Sequence, residues 1–167
     1  MKFGALLAGA ALALTAHAAN DLGTNFPQTS GLPAGWAFSG CYSDRFYSSV
    51  GNRALGAYWR TGISANSGAA CINICQGIST TYVYAGNQDN QCWCDTGINN
   101  NQTVNQYGVK LDDNYCHFEC RGTTGQTCGS TNRGNGPQLG PALSIYTNQQ
   151  AADPGNAFII AKPTKDF

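Results

Sequence analysis

Four cysteines in the middle of the chain are spaced so that their sulfurs could do chemistry. Cys71 and Cys75 are separated by three residues, and Cys92 and Cys94 are separated by Trp93 alone. A zinc site would need Cys-x2-Cys pairs or histidines, and neither accompanies these spacings. Residues i and i+4 share one face of a helix, and residues i and i+2 share one face of a strand. The spacing therefore predicts two disulfides between a helix and a strand, and no metal.

The remaining cysteines complete an even set of eight, which is typical of a disulfide framework in an exported chain: Cys41, Cys116, Cys120 and Cys128. Bridged Cα atoms lie about 4.4 to 6.8 Å apart, so a bridge within either close pair would distort its helix or strand. Pairing helix to strand leaves open whether Cys71 takes Cys92 or Cys94. We expect Cys41 to reach one of the three late cysteines, and the last two to staple the loop 113–129.

The hairpin that carries Cys92 and Cys94 is predicted from residue types. Thr80–Tyr84 is β-branched or aromatic throughout, which favours a strand, and Gly86–Asn90 supplies turn residues. The chain then returns as a strand on which both cysteines point to one side. Trp93, between them, is expected on the opposite face of the sheet.

The helix that carries Cys71 and Cys75 is expected to begin at a Ser64 or Asn66 cap and to run to about Gln76. Alternating segments predict an early strand over 35–42 and a closing strand over 142–146. The predicted fold class is α+β: a small disulfide-rich domain in which a helix packs on a twisted antiparallel sheet, with four disulfides.

The beginning of the chain indicates export. Residues 1–18 have a positive start at Lys2, a short apolar run and a small-x-small cleavage pattern, which is typical of a signal peptide. The apolar run is too short to span a bilayer. We predict a secreted, extracellular protein without membrane insertion. The rest divides into a lead-in over 19–34, one domain over 35–147 and a tail over 148–167.

Composition excludes several functions. The 167 residues have a formal net charge of zero and only 11% charged residues, so nothing indicates nucleic acid or anionic lipid as a partner. Glu119 is the only glutamate, and Asp112 and Asp113 are interpreted as turn and capping residues, so no carboxylate pair for glycoside hydrolysis is evident. We predict no enzyme activity and no cofactor. The sequon at Asn101 predicts one N-glycosylation site.

Eight short motifs occur along the middle of the chain in a fixed order: Gly40-Cys41-Tyr42-Ser43-Asp44, Arg53-Ala54-Leu55-Gly56, Cys71-x3-Cys75, Tyr84-Ala85-Gly86, Cys92-Trp93-Cys94, Cys116-x3-Cys120-x-Gly122, Thr127-Cys128-Gly129 and Leu143-Ser144-Ile145-Tyr146. Together they resemble the WSC domain over about residues 35–147. The resemblance implies a PAN-like or apple-like fold and a carbohydrate-binding module, with β-glucan as the usual proposed ligand. Trp93 departs from the family's usual tyrosine or phenylalanine. The chain shows neither the stalk and membrane helix of the family's sensors nor a catalytic domain, so a sensor role is not carried over.

Sugar recognition would need flat aromatic faces with amide, carboxylate or hydroxyl groups at the rim. Adjacent aromatics in an extended segment cannot both point inward, so one of Tyr58 and Trp59 is expected at the surface. The predicted binding residues are Phe46, Tyr47, Tyr58, Trp59, Trp93, Asn87, Asp89 and Asn90. Cell-wall polysaccharide is the predicted partner, with β-glucan ahead of xylan or chitin. The alternative is a structural or protein-interaction role for the same aromatics in the cell wall.

Overall fold

The computed structural model describes residues 26–44, 53–100, 107–131 and 141–152. Several predictions fall elsewhere in the chain. The signal peptide, the aromatic pair Phe46 and Tyr47, the sequon at Asn101 and most of the tail lie outside the described residues.

An antiparallel sheet of six strands forms the centre of the described domain. The described residues form eight strands in all: β1 (Trp36–Ser43), β2 (Tyr58–Arg60), β3 (Tyr84–Gln88), β4 (Gln91–Asp95), β5 (Lys110–Leu111), β6 (Glu119–Cys120), β7 (Thr123–Thr127) and β8 (Ala142–Asn148). The spatial order is β2-β4-β3-β8-β1-β5, and β6 and β7 form a separate hairpin. The last long strand, β8, therefore lies between the first strand and the β3–β4 hairpin, which closes the domain.

One eleven-residue helix, α1 (Gly68–Ile78), packs on the sheet. Its N-cap is Ser67, whose hydroxyl accepts a hydrogen bond from the backbone N–H of Ala70, so the predicted cap at Ser64 or Asn66 was wrong. Asn66 does not cap the helix but attaches the residues before it to the sheet. Its side-chain amide donates to the carbonyls of Asp89 and Gln91, which fixes the start of α1 to the β3–β4 turn.

Two disulfides join α1 to β4, as predicted from the cysteine spacing. Cys71 pairs with Cys92 and Cys75 with Cys94, with Cα separations of 5.2 and 5.5 Å. The order of the cysteines along α1 therefore matches their order along β4: the first of the helix pairs with the first of the strand, and the second with the second. This settles the pairing that the spacing alone had left open.

The other two disulfides tie the domain's beginning to its end. Cys41 of β1 pairs with Cys116, 75 residues later, and Cys120 pairs with Cys128 across the β6–β7 hairpin. Both follow the prediction that Cys41 would reach a late cysteine and that the last two would staple the local loop. All eight cysteines are paired.

The β3–β4 hairpin was predicted in the right place with the wrong limits. β3 begins at Tyr84 and continues through Gln88, and only Asp89 and Asn90 form the turn. Gly86, expected in the turn, pairs with Trp93 inside the sheet. A Cβ atom at Gly86 would lie 2.8 Å from Leu55 Cδ1, so this glycine makes room for packing and does not bend the chain.

The sheet has apolar clusters on both faces. On the helix face, α1 covers Ala85, the sulfurs of the two interelement disulfides and Tyr146. The opposite face, called here the loop face, buries Leu55, Trp93, Leu143 and Ile145 under the segment 53–57. Trp93 therefore lies on the face predicted for it, but at 4% exposure it is covered, not displayed.

The last part of the predicted lead-in packs against the domain. The backbone N–H of Gln28 donates to the Tyr146 hydroxyl, and its side-chain oxygen accepts from the N–H of Ala69 in the first turn of α1. At the other end of the domain, a short helix α2 (Gln149–Ala152) follows β8.

The described domain is thus a small, mostly antiparallel sheet with one long helix and four disulfides. The likeness to a PAN or apple fold stays a prediction of the resemblance. Neither α1 nor α2 is long and apolar enough to cross a membrane, and this holds for every helix in the part of the chain that is described.

Candidate functional site

An aromatic stack lies at the edge of the sheet. Trp59 of β2 is paired with Trp93 of β4, and their rings are nearly parallel, with centroids 5.4 Å apart and an interplanar angle of 16°. Trp59 is 45% exposed whereas Trp93 is 4% exposed. The stack therefore has a buried base and an outer ring that solvent reaches.

Strand geometry explains why Trp59 and not Tyr58 is the outer ring. Successive side chains of β2 point to opposite faces. Tyr58 is paired with Cys94 and packs, half-buried, against the cluster under α1. Trp59 is left on the loop face beside Trp93, at a strand that has a neighbour in the sheet on one side only. The expectation that the two aromatics would separate matches this arrangement.

A buried ion pair contacts the base of the stack. The guanidinium carbon of Arg53 lies 3.6 Å from the centroid of a Trp93 ring, within the range of a cation–π contact. Arg53 Nη2 donates to Asp44 Oδ2, and the side chains of Arg53 and Asp44 are 12% and 0% exposed. The other oxygen of Asp44 accepts from the backbone N–H of Ala54 at 3.1 Å. One carboxylate thus fixes both the backbone and the charge beside Trp93.

A second carboxylate holds the rest of the segment 53–57. Asp95 Oδ2 accepts from the N–H groups of Gly56 and Ala57, at 2.7 and 3.1 Å. Asn99 donates its side-chain N–H to the carbonyl of Arg53 and to Asp95 Oδ2. Asp95 and Asn99 are therefore the polar side chains beside the stack, although most of their capacity is used in shaping the loop.

The predicted rim residues do not all reach the stack. Asn87 is fully buried and paired with Cys92, which places it on the helix face, so its assignment as a rim residue is corrected. Asp89 and Asn90 are half-buried in the hairpin turn, where Asp89 forms an ion pair with Arg121. Asn90 lies three residues before Trp93, which is about 10 Å along a strand. A polymer could extend from the stack to the turn, but a single sugar could not contact both.

Asp44, Arg53, Asp95 and Asn99 were not predicted as contributors to the site. Asp44 and Arg53 stand in two of the motifs that carry the family resemblance, at the ends of Gly40–Asp44 and Arg53–Gly56. Arg53 stands directly before the apolar residues Ala54 and Leu55, and a charged residue in that position indicates a buried ion pair. Nothing in the sequence shows that the pair lies under an aromatic ring.

The remaining carboxylates that the structure describes in loops and short strands are engaged with the backbone. Asp112 caps a short 3-10 turn, Asp113 Oδ1 accepts from the N–H of Cys41, and a Glu119 oxygen accepts from the N–H of Gly125. This agrees with the interpretation of Asp112 and Asp113 as turn and capping residues.

Sulfurs and buried hydroxyls have structural roles here. The Sγ atoms of Cys71, Cys75 and Cys92 lie within 4.8 Å of one another, but each belongs to a disulfide and is no thiolate ligand. Burial raises the pKa of Tyr146 well above its usual range, against the opposing effect of the hydrogen bond from the Gln28 N–H. Its hydroxyl therefore stays protonated and anchors the lead-in.

Comparison with known proteins agrees with the resemblance seen in the motifs. The family model described as the WSC domain matches residues 38–130. A WSC domain-containing protein of Arthroderma benhamiae is 30% identical over 142 residues, which cover 84% of this chain and 12% of that protein. The matched region contains the stack, the ion pair beneath it and all four disulfides.

Proposed function

This chain belongs to the WSC domain family, and from that premise we propose that it is a non-catalytic module that binds cell-wall polysaccharide, most specifically β-glucan. The family is generally associated with carbohydrate binding, and its domains are generally binding modules without catalytic activity. Because the chain spans only 12% of the Arthroderma benhamiae relative, nothing about that protein's wider role enters the proposal.

One observation carries the proposal: the outer ring of the tryptophan stack is exposed at a sheet edge while its base is buried. Sugar rings have apolar faces that pack on flat aromatic rings. Trp59 offers such a surface, and stacking on Trp93 limits its motion, so less conformational entropy is lost when a sugar binds. Half-buried Asn90 and Asp89 lie further along the same hairpin and could meet the next sugars of a polymer.

Charge supports a neutral ligand. Arg53 is neutralised by Asp44, and Asp95 accepts hydrogen bonds from backbone N–H groups beside the stack. The surroundings of Trp59 therefore carry the Arg53–Asp44 ion pair, the Asp95 carboxylate and exposed Arg60, the next residue of β2, and these formal charges sum to zero. Such a surface favours an uncharged glucan over an anionic polysaccharide.

The ligand site would be weak on a single sugar. Covering one ring face removes about 60 to 100 Å² of apolar surface, or roughly 1.5 to 2.5 kcal/mol before association costs. A dissociation constant on the order of micromolar to millimolar follows for one site. Retention on a wall would then depend on several modules or sites engaging one polymer. The four disulfides also fit a secreted protein, and we propose an extracellular or cell-wall location.

The test is a retention assay with the purified full chain on insoluble β-1,3-glucan, xylan, chitin and cellulose. The proposal predicts retention on β-glucan that soluble β-1,3-glucan competes away. Product release from any polymer would instead indicate a hydrolase. No retention on any of the four, together with capture of a wall protein, would replace the proposal by the protein-interaction role.

A further inference from the structure

We propose that Asp44 and Arg53 are positioning residues, which hold the tryptophan stack in its binding geometry without touching the ligand. The inference rests on the proposed function, since it concerns how the exposed ring of Trp59 is presented to a glycan. It gives a role in ligand binding to an ion pair that lies one ring below the exposed Trp59.

Arg53 is itself fixed on two sides. Its guanidinium is bound to Asp44, whose other oxygen accepts from the N–H of Ala54, so one carboxylate orients both the side chain and the backbone next to it. The Arg53 carbonyl accepts from the side chain of Asn99 at 3.2 Å. The guanidinium is therefore a fixed surface against which another group can be placed.

The group placed against it is Trp93. The indole Nε1 of Trp93 is buried and has no hydrogen-bond partner among the described residues, so no hydrogen bond sets the orientation of this ring. Its orientation depends on packing and on the guanidinium 3.6 Å from its centroid. Trp59 stacks on the ring that results, at an interplanar angle of 16°.

Stability alone is a poor explanation for this ion pair. Two charges at 12% and 0% exposure lose much of their hydration, and a well-packed apolar pair is often as stable as a buried salt bridge. An apolar pair contains no planar cation held in one orientation, and such a cation can fix an aromatic ring by contact with the face of that ring. The arrangement of Asp44, Arg53 and Trp93 fits that use.

The experiment compares two double variants. Asp44→Asn with Arg53→Met removes the ion pair beneath Trp93 and leaves no unpaired buried charge. Asp112→Asn with Lys110→Met removes one exposed charge of each sign at or beside β5, the sheet edge opposite the stack, and serves as the matched control. Both are measured for retention on β-1,3-glucan and for the exciton couplet that stacked indoles produce in far-ultraviolet circular dichroism. Trp59→Phe identifies the part of the couplet that belongs to the stack.

We expect the Asp44 and Arg53 variant to lose at least about half of the couplet and to bind about three- to tenfold more weakly, the range of one cation–π contact. The control should change neither signal. A single Arg53→Lys variant, which keeps the charge and loses the plane, should fall between these and also serves if the double variant does not fold.

Three results would overturn the inference: an unchanged couplet in the folded variant, weaker binding with an intact couplet, or a lost couplet with unchanged binding. A different result separates this inference from the proposed function. If the wild-type protein binds no polymer but the variant still loses the couplet, the glycan role fails while the control of ring geometry by Arg53 stands.

Discussion

Replacing Trp59 by alanine should weaken polysaccharide binding more than any other single surface change in the described domain. The variant removes the exposed ring and leaves Trp93 lower in the sheet, where the Arg53 contact holds it. The lost contact with a sugar face corresponds to roughly 1.5 to 2.5 kcal/mol. This converts to a dissociation constant about 10 to 70 times higher.

The same variant should also lower the stability of the protein. Sequence reasoning treats an exposed aromatic as neutral for folding, but Trp59 is 45% exposed, so more than half of its surface is covered. Its stack with Trp93 adds about 0.5 to 1.5 kcal/mol beyond area burial. We expect a total loss of about 1.5 to 3 kcal/mol in the free energy of unfolding and a melting temperature lower by about 5 to 15 °C.

Binding and stability can be separated by a matched control. Tyr115 is 40% exposed and lies in the 3-10 turn Asp113–Tyr115, which packs against β1, and β3 and β8 separate β1 from the strands of the stack. Tyr115→Ala should leave affinity for soluble β-1,3-glucan unchanged, as measured by affinity electrophoresis well below the melting temperature of each variant. Trp59→Phe should retain part of the binding. Equal affinities for Trp59→Ala and the wild-type protein would refute the assignment of Trp59 as the binding surface.

Three further predictions concern the framework of the domain. Replacing both cysteines of the Cys41–Cys116 bridge should lower the free energy of unfolding by about 4 to 5 kcal/mol, and replacing those of Cys120–Cys128 should lower it by about 2.5 kcal/mol, because the bridges close loops with separations of 75 and 8 residues. Calorimetry of the two variants measures which loss is larger, and the reversed order would contradict the prediction. Gly68→Ala should lower the free energy of unfolding by about 1 to 3 kcal/mol, because its Cβ would lie 2.4 Å from Cζ of buried Tyr146. Gly77→Ala in the same helix has open space around its Cβ and should raise the free energy of unfolding by up to about 1 kcal/mol. Similar denaturation midpoints for the two variants would refute the packing argument. The folded state holds the Tyr146 proton more tightly than the unfolded chain, so the contribution of this proton to stability is complete below about pH 10 and is lost as the pH rises further. The free energies of unfolding of the wild-type protein and Tyr146→Phe should therefore converge as the pH rises in alkaline solution. Two parallel curves of this free energy against pH would contradict the raised pKa.

The disulfide framework could be predicted to a large extent from the sequence. Cysteine spacings of four and two residues match the repeats of a helix and a strand, and those repeats are local properties of the backbone. The helix, the hairpin and the side of the sheet that carries Trp93 followed from such local rules. The bridge from Cys41 to a late cysteine followed by elimination, once the other four cysteines were paired. Whether Cys71 would pair with Cys92 or Cys94 did not follow, because it depends on the direction in which the helix crosses the strand.

The roles of single side chains depended on contacts between distant segments. Gly86 looks like a turn residue by type, but Leu55 packs where its side chain would be, so it lies inside β3. Asn87 has the chemistry of a rim residue, yet strand alternation from the true turn places it under the helix. Trp93 was expected to be displayed and is instead covered by Trp59 and Arg53. Local sequence determines which residues can share a face, whereas exposure depends on what other segments of the chain pack on that face, and only the tertiary structure brings the segment 53–59 onto Trp93.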